Sequence, residues 1–327
     1  MKKIILFLLV SILVWAHPVR KTHNSVSDDY TNLLKEGYDY FEKEVEGIFE
    51  IPKCLRVWVR PLGASTPKAN YEFLSCSLNM KDQFTFGAPI SDRTYKAILT
   101  HELGHAVFTT MAVNKLDSAP WKNFKKRRRI ERIALSNKRR ISEIRKLKKQ
   151  VGITSDELSK LNEEYRSLNN DPIMKEYREV GFKMSQDLSI QALMTPYTEL
   201  FADLFGAVLF NDLSVMQDGF PENSKQRPYR TFEGDLIDIE GWKDYGSYSM
   251  FLPVKHYMGQ NFVFDFDLII RLFKILDEEM SYICSVIKYY PKANGEFAYQ
   301  NDPIPSFLYK HGLTSEHLNR RLLEKLK

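Results

Sequence analysis

Cysteine is scarce in this chain. Three in 327 residues are too few to frame a disulfide-built domain. Cys54 and Cys76 flank a stretch of hairpin character and could either pair in an oxidising compartment or stay free; Cys284 reads as a small buried hydrophobe. Long apolar runs are missing as well. The apolar segment from Ile4 to Ala16, behind Lys2 and Lys3, is too short to span a bilayer comfortably. Val14 and Ala16 place small residues where a signal peptidase cuts, so residues 1–16 read as an export signal, with an uncleaved anchor as the alternative. Farther on, "FVFDFDLIIRLFKIL" is broken by Asp265, Asp267, Arg271 and Lys274, which argues against an internal membrane span. Collagen-like periods, solenoid repeats and low-complexity tracts are absent, which excludes fibrous and repeat architectures. The expected mature protein is soluble, periplasmic or extracellular, with possible attachment to the envelope.

What is present suits a globular enzyme-sized chain. Hydrophobic residues make up 43% and charged residues 27%, enough for a sizeable core, and the length suggests about two domains. The net charge of +5 conceals one basic segment. Residues 122–149 hold 14 Lys and Arg against Glu131 and Glu143, a local +12 that leaves −7 for the remainder. Such a segment is either a solvated helix face or a contact surface for an anionic envelope polymer or a membrane. Few aromatics accompany it and the chain reads as exported, so nucleic acid is not the expected partner.

Periodicity gives the organisation. Leu33, Leu34, Tyr38, Phe41, Val45 and Phe49 recur at helical spacing up to Pro52. "CLRVWVRP" alternates as a strand, "YEFLSCS" predicts a second and "QFTFGAPI" a third. Ser91 and Asp92 form the N-cap region of the helix that follows. Residues 122–185 read as an inserted, charged helical hairpin, its second helix capped by Ser155 and a further helical stretch starting at Pro172. The rest, 17–121 and 186–327, forms one domain. In it "MTPYTELFADLFGAVLF" predicts a helix with Thr195 as N-cap and Pro196 at its first position.

The chemistry concentrates in "HELGH". His101 and His105 are four apart, so they project from one helix face and can hold one metal ion. Glu102 beside the first ligand can take a proton from the water that completes the coordination. The extended signature with a third histidine is excluded, because Phe108 and Met111 stand where it requires Gly and His. A carboxylate must then complete the set. "ELFADLFGAVLF" offers Glu199 and Asp203, four apart on an otherwise apolar helix that has to be buried. Buried carboxylates are costly unless paired or metal-bound, so Glu199 reads as the third ligand and Asp203 as acceptor for the free N–H of His101. The competing reading leaves both acids in solvent at a helix start.

HExxH followed by ExxAD, here His101 to His105 and Glu199 to Asp203, resembles the gluzincin metallopeptidases, and most closely the HtpX-like and CAAX-processing family. The resemblance implies an α+β, zincin-like fold and one zinc per chain. It implies His101, His105 and Glu199 as ligands, Glu102 as general base and Asp203 as the residue that orients His101. Such enzymes add a donor for the oxyanion, for which Tyr248, His256 and Tyr257 are candidates; a satisfied structural histidine is the competing reading of His256. The expected activity is hydrolysis of a peptide or protein substrate. Against it stand a catalytically silent envelope-binding protein with a structural zinc site, and a metal-dependent hydrolase of non-peptide amides.

Overall fold

The computed structural model describes residues 17–61, 69–81, 91–115, 120–149, 152–218, 230–235, 249–288 and 314–327. The export segment 1–16, the expected strand at 83–90, Tyr248 and the side chain of Cys284 lie outside the described residues. Among the described residues no helix is long and apolar enough to cross a membrane.

The fold is α+β, dominated by helices around one small sheet. Strand β1 (Val19–Lys21) runs into helix α1 (Asp28–Val45), which Ser27 caps by accepting the Asp29 N–H. The helix stops at Val45, before the expected Phe49, because Gly47 takes the left-handed φ of 74° and turns the chain. Phe49 then folds back onto Phe201, Phe205 and Phe273.

Strands β2 (Arg56–Arg60), β3 (Ala69–Glu72) and β4 (Ser77–Lys81) complete a sheet of order β1-β2-β4-β3. β1 and β4 both lie parallel to β2, and β3 is antiparallel to β4, outermost among the described strands. The alternation in "CLRVWVRP" holds, with Val57 and Val59 buried and Arg56, Trp58 and Arg60 less so. The strand expected at "YEFLSCS" splits instead, because Phe73–Cys76 form a turn with Cys76 at φ 51°. β1, at three residues, is too short to show a period.

Cys54 and Cys76 are bonded, which ties the approach to β2 to the approach to β4. Closing a loop between residues 22 apart restricts the unfolded chain, which is worth about 3 kcal/mol in the chain-entropy view. The Cys54→Ser, Cys76→Ser double variant should therefore lose about 3 kcal/mol in denaturant unfolding. Adding a reductant should bring the wild type to the same midpoint.

Helix α2 (Asp92–Asn114) starts at its predicted cap, where the Ser91 side chain accepts the Thr94 N–H. It is buried nearly throughout, from Tyr95 to Val113, rather than on one face. The helix α5 (Pro172–Phe210) crosses it and supplies its most extensive contact. The expected helix start at Thr195 and Pro196 is not there: α5 passes through both, so the boundary expected at 185/186 falls within a continuous helix. An interior proline costs about 3 kcal/mol through its missing N–H and its ring. Full burial of Tyr197, Leu200, Phe201, Leu204 and Phe205, each worth about 1.5–3 kcal/mol, offsets that.

Helices α3 (Pro120–Leu147) and α4 (Ser155–Asn170) pack on the first half of α5, so the segment expected to be a hairpin forms a three-helix unit. Thr154, not Ser155, caps α4, through a capping box with Glu157. Two small apolar clusters, one of Ile130, Val180 and Met184 and one of Ala134, Ile141 and Met174, stand apart from the main core. The short α6 (Val215–Asp218) and helices α7 (Leu252–Asn261), α8 (Phe266–Lys288) and α9 (Ser315–Leu326) close that core on its other sides.

Candidate metal centre

Gly104, the centre of HELGH, explains how two helices come close enough to share a site. A Cβ there would stand 2.9 Å from the Ala202 Cα and 3.3 Å from its Cβ. Glycine costs about 1 kcal/mol in a helix interior, and the close crossing of α2 and α5 offsets it. Gly104→Val should push the helices apart and destabilise the fold by about 1–3 kcal/mol. Metal affinity should fall with it, since the donors are split between these helices; denaturant unfolding and metal titration read the two effects.

At this crossing His101, His105 and Glu199 converge, with one donor atom from each lying within 4.8 Å of the others. His101 Nε2 is 2.9 Å from His105 Nε2 and 3.3 Å from Glu199 Oε2, and His105 Nε2 is 3.6 Å from Glu199 Oε1. A tetrahedral zinc with bonds of about 2.0–2.1 Å separates its ligands by roughly 3.3 Å. The donors fit such an ion. Their outer nitrogens are also held: His101 Nδ1 lies 2.9 Å from Asp203 Oδ1, and His105 Nδ1 is 2.8 Å from Thr198 Oγ1. Both contacts fix ring orientation, as metal-binding histidines require.

Two cations complete the cluster. Lys255, 1% exposed, reaches Asp203 Oδ2 at 2.5 Å. Arg230 spans 3.2 Å to Asp203 Oδ1, 3.2 Å to Glu199 Oε2 and 3.2 Å to His101 Nε2. Burial opposes charge on the carboxylates and the two histidines; neighbours outweigh it at Glu199, Asp203 and His101, and burial prevails at His105 and Glu102. Burial alone would raise Glu199, but His105 and Arg230 bring it down to about 2. Asp203 is lowered, burial being outweighed by Lys255 and Arg230. Burial and Arg230 both disfavour a proton on His101, yet hydrogen bonds to Asp203 and Glu199 hold it up at about 9. Burial takes His105 down to about 3, the neutral form that binds metals. Glu102 is the one carboxylate drawn up, to about 7, by burial. Its Oε2 accepts the Tyr71 N–H of β3 at 2.6 Å.

Comparison with protein-family models, with curated proteins and with solved structures gives no match. The site stands on its own geometry. It floors a cleft of about 240 Å³ between β3, which contributes Asn70 and Tyr71, and α5, which contributes Thr198 and Glu199.

The structure thus brings together His101, Glu102, His105, Glu199 and Asp203. It does not bring His256 to them. His256 Nδ1 is 2.6 Å from the Asp235 carbonyl oxygen, its ring packs against Gly234, and it does not line the cleft. Successive helical residues point about 100° apart, so α7 turns Lys255 inward to the cluster and His256 aside. Tyr257 does not line the cleft either. Sequence reasoning missed Thr198, Arg230 and Lys255. Arg230 lies outside every motif the sequence offers, and Thr198 carries no signal of its own. Lys255 was detectable in principle, because a buried Asp203 calls for a cation.

Proposed function

We propose that this chain is a zinc-dependent peptidase of gluzincin type, acting outside the cytoplasm. The observation that carries the reading is the buried convergence of His101, His105 and Glu199 with Glu102 one residue from a ligand. A structural site would need neither an accessible cleft nor an acid beside it. The Cys54–Cys76 bond suits an exported chain. The zincin-like architecture belongs to the same proposal.

His101, His105 and Glu199 would hold the ion, which when bound supplies a Lewis acid for the scissile carbonyl and lowers the pKa of a water. Asp203 and Thr198 keep the two imidazoles oriented. Glu102 holds its Oε2 on the Tyr71 N–H, which leaves Oε1 to accept a proton from the attacking water. It then passes that proton to the leaving amine, a step favoured by a pKa near neutrality. Among the described residues β3 is the outermost strand along the cleft, a wall against which an extended peptide can hydrogen-bond in strand fashion. Arg230 lines the cleft beside Glu199 and supplies positive charge there.

Arg230 also favours a second reading, a catalytically silent binding protein. Its guanidinium reaches two of the side chains that would hold a metal, His101 and Glu199, and Asp203 behind them, so Glu199 and Asp203 have a cationic partner within the chain. Metal analysis of the purified protein and digestion of a peptide library decide between the two. About one zinc per chain, with peptide cleavage lost on chelation and regained on zinc addition, supports the peptidase. A fully active metal-free protein, or a zinc-loaded one that cleaves nothing, overturns it.

A further inference from the structure

The basic run leaves one helix face without an occupant. On α3 the inward residues Ile130, Ala134, Ile141 and Ile144 are buried, and the basic residues beside that face are engaged. Lys126 pairs with Glu176 at 2.7 Å, Lys138 with Glu131 at 2.6 Å and Arg140 with Glu164 at 2.7 Å. On the opposite face Lys125, Arg128, Arg129, Arg132, Arg139 and Lys146 are all exposed, and none forms an ion pair with a described residue. At about 100° per residue these six fall in a single stripe. The acid on that stripe, Glu143, is held by Arg140 at 3.2 Å.

Partnering explains the inward cations and not the outward ones. A cluster of like charges on one rigid face costs self-repulsion and concentrates positive potential, which complements an anionic surface. Ile133 is 58% exposed and Leu135 43%, and they flank the stripe at mid-helix. A soluble polyanion offers such branched apolar side chains nothing, whereas the boundary between lipid headgroups and acyl chains accepts them. The first turn of α3 adjoins the cleft, since Trp121 packs edge-on against Phe73 at 6.4 Å.

We propose that the outer face of α3 docks the protein on an anionic lipid bilayer, through these six cations with Ile133 and Leu135 at the headgroup boundary. The docking is independent of the metal site, so it stands or falls separately from the peptidase reading.

Vesicle sedimentation of the full protein tests it, with phosphatidylcholine alone and with an equimolar phosphatidylcholine–phosphatidylglycerol mixture. Binding should occur on the anionic vesicles only and fade as salt rises. Each basic side chain near such a surface contributes about a fivefold factor. Arg128→Glu, Arg132→Glu, Arg139→Glu and Lys146→Glu together should therefore weaken binding by on the order of a hundredfold or more. Ile133→Ser with Leu135→Ser should weaken vesicle binding while leaving any retention on soluble polyphosphate unchanged. All these positions are exposed, and an unaltered thermal melt checks that the variants fold. Equal binding to both vesicle types overturns the proposal. So does retention on polyphosphate without vesicle binding, which would make the partner an anionic polymer. Absence of binding to either overturns it too, leaving the stripe a solvated face.

Discussion

Glu199→Ala is expected to lower zinc affinity by orders of magnitude. The substitution leaves two imidazoles where a catalytic zinc site uses three protein ligands. It also removes the carboxylate that faces both histidines at 3.3 and 3.6 Å, and with it the negative charge that favours a dication. Asp203 should have a smaller effect, about 10–100-fold, because it acts through the orientation of His101. Asp203 carries a second duty, however. It is the carboxylate that Lys255 and Arg230 both reach, so Asp203→Ala removes the anionic partner of a buried lysine and should cost about 3–5 kcal/mol of stability. Asp203→Asn is the milder comparison, keeping the shape and one acceptor. Zinc titration alongside thermal melts separates the two duties. The graded order, Glu199 worse than Asp203 and both worse than wild type, is the expected outcome. Unchanged zinc affinity in a folded Glu199→Ala protein would show that the cluster does not bind through this residue.

Glu102→Gln should retain zinc and lose peptide hydrolysis by about 10²–10⁴-fold. The amide is nearly isosteric, and its oxygen can still accept the Tyr71 N–H, so the contact between β3 and α2 survives. What it cannot do is accept a proton. Burial that draws the Glu102 carboxyl up to about 7 makes it an effective proton shuttle near neutral pH, and the substitution removes that function alone. The check is turnover on the best library peptide at matched zinc occupancy. Wild-type turnover in the variant would take the base role away from Glu102.

Much of the site was legible along the chain because its signals are short-range. Two histidines four apart share a helix face by geometry alone, and an apolar helix with only two early acids has to account for burying them. The alternation in Val57 and Val59 and the Ser91 cap are local in the same sense. Other features were not local. The proline at 196 marks a helix start by propensity, but burial across the α2–α5 crossing outweighs that preference and runs the helix through.

The sequence by itself determined the donor set, the general-base candidate, the basic segment and an α+β composition, each from spacing or charge within a few turns of chain. Only the tertiary structure decided that Cys54 and Cys76 are bonded and that α5 both packs on α3 and α4 and carries Glu199. It also decided that Lys255 rather than His256 faces the cluster, and that Arg230 reaches into it. The reason is physical. Periodicity fixes which face of an element a residue occupies, but what that face meets depends on long-range packing: a glycine that lets two helices touch, a Gln217 side chain that accepts the Arg230 backbone N–H, and the need of buried carboxylates for cations wherever the chain can supply them.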